Sequence, residues 1–447
     1  MTRFKQVIKR SGVTVPFTPN RISNAIYRAA VAVGGRDKQT AEKLAQQVID
    51  YLEATIPEDE IPTVEQIQDA SEKILIENAH AKVAKAYILY RNDRARMREQ
   101  REMQTISPST NIPWAKIWQV LDWSASHNLH TTKHYEKRLN HGELQNIVSE
   151  SEMFYEEDIK MAAQEICLRR DELRIVLISG PSSSGKTTTT IKIGQILKQM
   201  GISLVALNVD NYFFDLDQHP KDEFGDYDFE TPQALDLPLI NQHLAELVNG
   251  KEVEIPFYDF KDGKRKQSQT KMQIGKNDII LIDSLHGLYP PMTQDIDPEK
   301  KYKLYLEPLL QMKDSKGQYI RWTDIRLMRR MLRDEAYRGY DPERTLTHWH
   351  YVRSGEMNHI IPNNRFADFI INSAMPYELS IYKSRLFEHF KTWAKIYKND
   401  PLRADAYTRA QRGLDLLSEI PELSDDSFVP SDSVLREFIG GSTLKYH

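Results

Sequence analysis

The chain has 447 residues, 28% of them charged and 40% apolar, the balance of a soluble globular protein. Its formal net charge of −4 makes no electrostatic case for nucleic acid or an anionic membrane as a partner. Cys167 is the one cysteine, which excludes intramolecular disulfides and cysteine-based zinc sites; with no apolar leader in MTRFKQVIKR and no apolar run of membrane-spanning length, a reducing cytoplasm is the expected setting.

The length predicts two or three domains, since about 100–200 residues is usual for one. The first, residues 1–98, reads as a short hairpin followed by helices. Phe4 to Ile8 and Val13 to Phe17 are strand-like and flank the turn Lys9-Arg10-Ser11-Gly12. Pro19 sits where the first turn of a helix tolerates it, and Ile22, Ala25, Ile26, Ala29 and Val33 follow at helical spacing until Gly34-Gly35. A second helix carries Ala41, Leu44, Ala45, Val48 and Leu52; a third opens on the capping box Thr63-x-x-Gln66. The last, from about Ala81 to Met97, ends in a basic stretch.

The segments VIKRSG, VPF with a following RI, PTVEQIQD and AKAYILYRNDR together resemble an ATP-cone, the small regulatory domain found at the start of many ribonucleotide reductases. The resemblance implies a regulatory nucleotide, ATP or dATP, and places Val7, Lys9, Arg10, Arg21, Ile22 and Arg91 around it. Taken alone, Lys9 and Arg10 are as well explained by an exposed basic turn.

Residues 99–171 read as a helical connector, with linker composition in TISPSTN (105–111) and helix-like stretches around Trp114–Trp123 and Glu156–Arg170. His130, His134 and His141 lack neighbouring carboxylates or cysteines and read as a solvated polar face.

Residues 172–395 alternate strand-like and helix-like runs, which predicts an α/β domain with a parallel sheet and helices on both faces. The apolar run Ile175 to Ile178 leads into Gly180-x4-Gly185-Lys186-Thr187, and from Thr188 an apolar-periodic helix follows. This is the context a phosphate-binding loop needs: glycines let backbone N–H groups face a phosphate, Lys186 reaches the outer phosphates, and Thr187 offers a hydroxyl to Mg²⁺. Ser182, Ser183, Ser184 and Thr188 complete the expected phosphate cradle. A second strand, Ser203 to Val209, ends in Asp210, and a third, from Asp278, ends in Asp283. Carboxylates at the carboxyl ends of buried strands beside a phosphate loop suit phosphoryl transfer, one orienting or deprotonating an acceptor hydroxyl, the other holding Mg²⁺. Thr187, Asp210 and Asp283 are the expected metal ligands. Seven arginines follow between Arg321 and Arg344; Arg326, Arg330 and Arg333 share a helical face and suit a lid closing guanidinium groups over phosphates.

GPSSSGKTTT, VDNYF, DFETPQALD, GKEVEIPFYDF, IILIDSLHGL and DIRLMRRMLRDEAYRG resemble the uridine kinase and phosphoribulokinase family of P-loop kinases over roughly 174–375. The resemblance implies Asp210 as base, with Lys186 and Arg333 as its catalytic companions, and Arg333 and Arg338 on the nucleotide phosphates. It places Tyr212, Phe213, Glu230, Tyr258, Phe260 and Arg330 at the acceptor. Two departures stand out. Gly263 replaces a histidine that uridine kinases use on the pyrimidine, and Asp283-Ser284 replaces the family's Glu-Gly.

The function expected is an ATP- and Mg²⁺-dependent kinase acting on a hydroxyl of a small molecule, first a nucleoside and second a sugar phosphate, regulated through the amino-terminal domain and assembled as a homo-oligomer. The competing reading is a non-catalytic nucleotide sensor that oligomerises. A GTPase is disfavoured because Asn-Lys-x-Asp is missing. Residues 396–447 read as a helical extension, Ala404–Leu417, then an acidic loop and a solvated, flexible tail at DSFVPSDS (426–433).

Overall fold

The computed structural model describes residues 2–8, 14–35, 37–58, 60–88, 112–219, 231–266 and 270–444. The chain forms two compact units, residues 1–109 with 399–404 and residues 110–398 with 405–447.

In the first unit β1 (Gln6–Ile8) pairs antiparallel with β2 (Thr14–Pro16), Val7 opposite Val15. The strands are shorter than their apolar runs suggest, and the turn between them lies outside the described residues. Helices α1 (Pro19–Ala32), α2 (Lys38–Thr55), α3 (Val64–Glu77) and α4 (81–88) follow. Asp37 caps α2 by accepting from the Thr40 N–H, and Thr63 and Gln66 close the capping box of α3, so each helix starts where its side chains satisfy free amides. The inward faces meet in a core that includes Ile22, Ile26, Leu44, Val48, Leu52, Ile74 and Leu75.

The second unit opens with α5 (Trp114–Ser126), α6 (Thr132–Asn140) and α7 (Leu144–Leu168). Its centre is a five-stranded parallel sheet made of β3 (Ile175–Ser179), β4 (Ser203–Ala206), β9 (Asp278–Asp283), β10 (Lys301–Glu307) and β11 (Phe369–Asn372), in the order β11-β10-β3-β9-β4. Strand alternation divides the two cores. Val176, Ile178, Ile279 and Leu281 face one, with α7 and α8 (Lys186–Gln199); Ile175, Leu177, Ile280 and Ile282 face the other, with α9 (Leu237–Val248).

Between α9 and β9 lie two small ribbons, β5 (Val253–Glu254) with β8 (Lys271–Met272) and β6 (Phe257–Asp259) with β7 (Lys264–Lys266). After the sheet's fourth strand come α10 (Trp322–Arg338), ended by Gly339 at φ 64°, and α11 (Pro342–Gly355). After β11 come α12 (Glu378–Ile396), α13 (Ala404–Glu419) and α14 (Arg436–Ile439). No helix among the described residues is long and apolar enough to cross a membrane.

The carboxyl-terminal stretch departs from its sequence reading. Val429, Ser433, Val434, Leu435 and Phe438 are buried, and Asp426 pairs with Arg385 and Arg436. A polar composition concealed the apolar anchors Val429, Val434, Leu435, Phe438 and Ile439. Residues 426–433 are thus anchored at Val429 and Ser433, with Ser427 and Ser431 exposed, and residues 434–439 run buried into the core.

Candidate active site

The loop between β3 and α8 is shaped by close backbone approach. A Cβ at Gly180 would collide with the carbonyl oxygen of Leu306 on β10, and Gly185 turns at φ 94°, where side chains are disfavoured. Ser183 also takes a left-handed φ of 60°. The result leaves the first amides of α8 pointing out of the sheet's carboxyl end, where the helix dipole favours an anion. The Ser183 and Ser184 hydroxyls are buried without a hydrogen-bond partner among the described residues, which suits a loop built around a polar ligand. Lys186 Nζ donates to the carbonyls of Gly180 (3.0 Å) and Pro181 (3.3 Å), curled back over the loop.

Two carboxylates stand beside it. Asp283 ends β9, and enclosure pushes its carboxyl up to about 6, against the pull of Lys186. Burial in turn lowers the Lys186 ammonium, offset in part by Asp283. Asp210 lies in a 3-10 turn (Val209–Tyr212) that follows β4 sooner than the apolar run suggests, its N–H held by Asn208 Oδ1 at 3.0 Å. Asp210 is reachable by solvent yet stands inside the cleft, whose walls displace hydration and raise its carboxyl, with Lys186 opposing. Thr187 and Asp283 offer only oxygen donors, and a carboxylate raised by enclosure gains from a nearby cation; the set fits Mg²⁺.

The arginines of α10 divide into two groups. Arg326 and Arg329 are fully buried, so they are not part of a lid. Arg326 pairs with Glu356 and donates to the Ser182 carbonyl at 3.2 Å; Arg329 pairs with Glu378 (2.7 Å) and reaches Ser373 and the Ser184 carbonyl (3.4 Å). They brace the loop from behind. Arg330, Arg333 and Arg338 instead share Asp334, at 3.2, 3.2 and 3.3 Å. Arg330 Nη1 also donates to Ser182 Oγ at 3.1 Å, which puts it on the phosphate loop. The helix periodicity placed Arg326, Arg330 and Arg333 on one face, but the carboxylates that pair with Arg326 and Arg329 lie 30 and 49 residues away in sequence and could not be read from it.

An aromatic cluster adjoins the Asp210 turn, whose Asn211 Oδ1 accepts from the Tyr258 N–H at 3.4 Å. Phe213 lies 5.5 Å from Tyr258 and 6.1 Å from Phe260, and Tyr258 and Phe260 meet edge to face at 4.9 Å. His219, which carried no signal in the sequence, joins at 5.5 Å from Phe213, its Nε2 donating to the Phe214 carbonyl. Tyr212 does not join them: its ring is fully buried and its hydroxyl pairs with His243 Nδ1 at 3.0 Å, because the 3-10 turn directs it onto α9. Gly263 has a φ of 64°, and a Cβ there would press on Leu216 at 3.0 Å, so the turn disfavours a histidine at this position. Glu230 lies outside the described residues.

Of the residues expected around a regulatory nucleotide, Lys9, Arg10 and Arg91 lie outside the described residues. Val7 and Ile22 are buried, Ile22 in the helical core, and Arg21 is exposed.

Comparison with known proteins assigns both units. The model of the ATP cone domain matches residues 5–96, and that of the phosphoribulokinase / uridine kinase family matches residues 175–379. The chain is 29% identical over 198 residues to a uridine kinase of Deinococcus deserti, covering 44% of this chain and 86% of that protein. It is 30% identical over 198 residues to uridine-cytidine kinase B of Dictyostelium discoideum, covering 44% and 73%. A solved structure of a possible uridine kinase from Bacillus stearothermophilus aligns with a TM-score of 0.31 at 16% identity, over 48% of this chain and 98% of that one. The chain therefore belongs to the phosphoribulokinase / uridine kinase family, and is an ATP-dependent kinase that phosphorylates a hydroxyl group.

Proposed function

We propose that the acceptor is a nucleoside and that the first unit binds a regulatory ATP or dATP. The observation that carries the acceptor class is the aromatic cluster of Phe213, His219, Tyr258 and Phe260 beside Asp210. The exposed Phe260 ring and the half-buried Phe213 ring, backed by the buried Tyr258 and His219, can bind a flat heterocycle by stacking, whereas a sugar phosphate calls for cations, and none of these four side chains supplies a fixed one. Gly263 in place of the pyrimidine-reading histidine leaves base identity to other groups of this cluster.

The chemistry follows from the strand ends. Asp210 takes the proton of the acceptor hydroxyl as it attacks the γ-phosphorus, and its raised carboxyl is a better base than a fully hydrated aspartate. Lys186 and the α8 amides hold the phosphates, and Arg333 meets charge that develops on the transferring group. Thr187 and Asp283 would hold Mg²⁺, which neutralises phosphate oxygens when bound. Arg338, half exposed, can close over the nucleotide by leaving Asp334 (3.3 Å), which keeps Arg330 and Arg333.

Release of ADP from Mg-ATP, measured across a panel of nucleosides and sugar phosphates, tests the reading. One or more nucleosides should stimulate release, and Asp210→Ala should lower that stimulated rate by about 10²–10⁴-fold. Stimulation by a sugar phosphate alone would overturn the acceptor class.

A further inference from the structure

The carboxyl-terminal segment bears on the phosphate loop at two points. Val434, fully buried, occupies the space that a side chain at Gly185 would need. Glu437, 8% exposed, accepts from the Thr188 backbone N–H at 3.1 Å and from Thr188 Oγ1 at 2.8 Å. That N–H is one of the first four of α8, which have no acceptor within the helix and in a phosphate loop face the nucleotide. The charge of Glu437 also acts on Lys186, Asp283 and Arg333, the groups expected to handle phosphate.

The carboxylate is held in place by a built anchor. Ser433 donates to Glu152 of α7, a helix that also reaches the loop's own helix through Tyr155 and Thr189 (2.7 Å). Arg436 donates to Asp426 Oδ1 (3.1 Å) and to the Val429 carbonyl (2.8 Å), and Arg385 donates to the Ile439 carbonyl (3.1 Å). Leu435 and Phe438 are fully buried, the Phe438 ring 5.0 Å from the Arg329 guanidinium. A surface glutamate capping a helix by chance would lack this support.

We propose that Glu437 is a resident anion in the nucleotide-phosphate site, presented by residues 433–439, and that ATP gains the loop by displacing its carboxylate from Thr188. One amide and one dipole end cannot serve a carboxylate and a phosphate together, so the two compete. The segment is then an internal inhibitor of ATP binding, and whatever loosens it raises affinity. The inference rests on the kinase reading only in taking the loop to bind ATP.

The test is hydrogen exchange on the full chain titrated with Mg-ATP, following peptides that cover 180–190, so that nucleotide held by the first unit does not enter the readout. Glu437→Gln keeps an acceptor but removes the charge, and a charged hydrogen bond is worth about twice a neutral one. The ATP concentration that half-protects 180–190 should fall by about ten-fold in this variant. An unchanged or higher midpoint, with protection plainly present, overturns the proposal alone and makes Glu437 a neutral cap or a supporting member of the site. No protection in either protein refutes ATP binding at the loop, the reading beneath. If Glu437→Gln does not fold, the wild-type chain decides: exchange across 433–439 should quicken at saturating Mg-ATP, and unchanged exchange there beside a protected loop overturns the displacement.

Discussion

Asp283 shows how a single position combines structure and chemistry. Its carboxyl is pushed up to about 6 by enclosure, so the folded chain binds a proton there that the unfolded chain has lost above its ordinary value near 3.8. The sign follows: the contribution of Asp283 to stability is greatest at low pH and is lost as pH rises from about 4 through 6. The ionised form is nevertheless the one that the charge of Lys186 favours and that fits a divalent cation, so activity should run the other way. In the nucleoside assay, kcat/KM should rise through about pH 6, and Asp283→Asn should lower the plateau and leave only the part of that limb due to the base Asp210. A flat profile in the wild type between pH 5 and 7 would remove Asp283 from the ionisations that matter. The residue was legible as a carboxylate at a strand end; its raised carboxyl was not, since that depends on walls supplied by distant segments.

The arginines of helix α10 divide by burial and partner into two duties, and substitution separates them. Arg329 and Glu378 are both fully buried, and removing one partner of such a pair leaves an uncompensated charge, typically costing about 3–5 kcal/mol. Arg329→Met should therefore lower the stability of the second unit by that order in chemical denaturation, and Arg329→Met with Glu378→Leu should recover much of it. Arg333→Ala leaves Asp334 with Arg330 and Arg338, so stability should hold while kcat falls about 10²-fold or more. A stable Arg329→Met protein, or an unfolded Arg333→Ala protein, would reverse the division. The spacing of 326, 330 and 333 reads as one face and suggested one lid, because periodicity reports direction around a helix and not what lies opposite. Local signals did better: the Thr63-Gln66 capping box, the β3 run and the glycines at 180 and 185 all determine their own backbone. Tyr212 failed for the same reason as Arg326, its neighbour in space being a helix some 30 residues further along.

At the scale of the whole molecule, the chain has two compact units, one with the strand–loop–helix of β3 and α8, the other matched by the ATP cone domain model over residues 5–96, and the proposed function gives each its own nucleotide. If both bind, the full chain titrates as a two-site molecule, and one substitution can empty one site. Lys186 Nζ donates to the loop carbonyls of Gly180 and Pro181, so Lys186→Ala changes the loop and leaves the sequence of the first unit as it is. This variant should lose nucleoside-dependent ADP release and loop protection, yet retain ATP or dATP binding with the first unit's affinity in calorimetry. Coupling would appear as a change in that remaining affinity, and it must be reciprocal: a nucleotide on the first unit that tightens ATP at the loop is itself tightened by the same factor. The Lys186→Ala chain, expected to lose ATP at the loop, thus reports the uncoupled affinity of the first unit. Wild type minus variant, each measured with ATP and with dATP, gives the sign of regulation in equilibrium terms. A folded Lys186→Ala protein that binds no nucleotide would mean that the loop is the chain's single nucleotide site, and the regulatory role of residues 5–96 would fall.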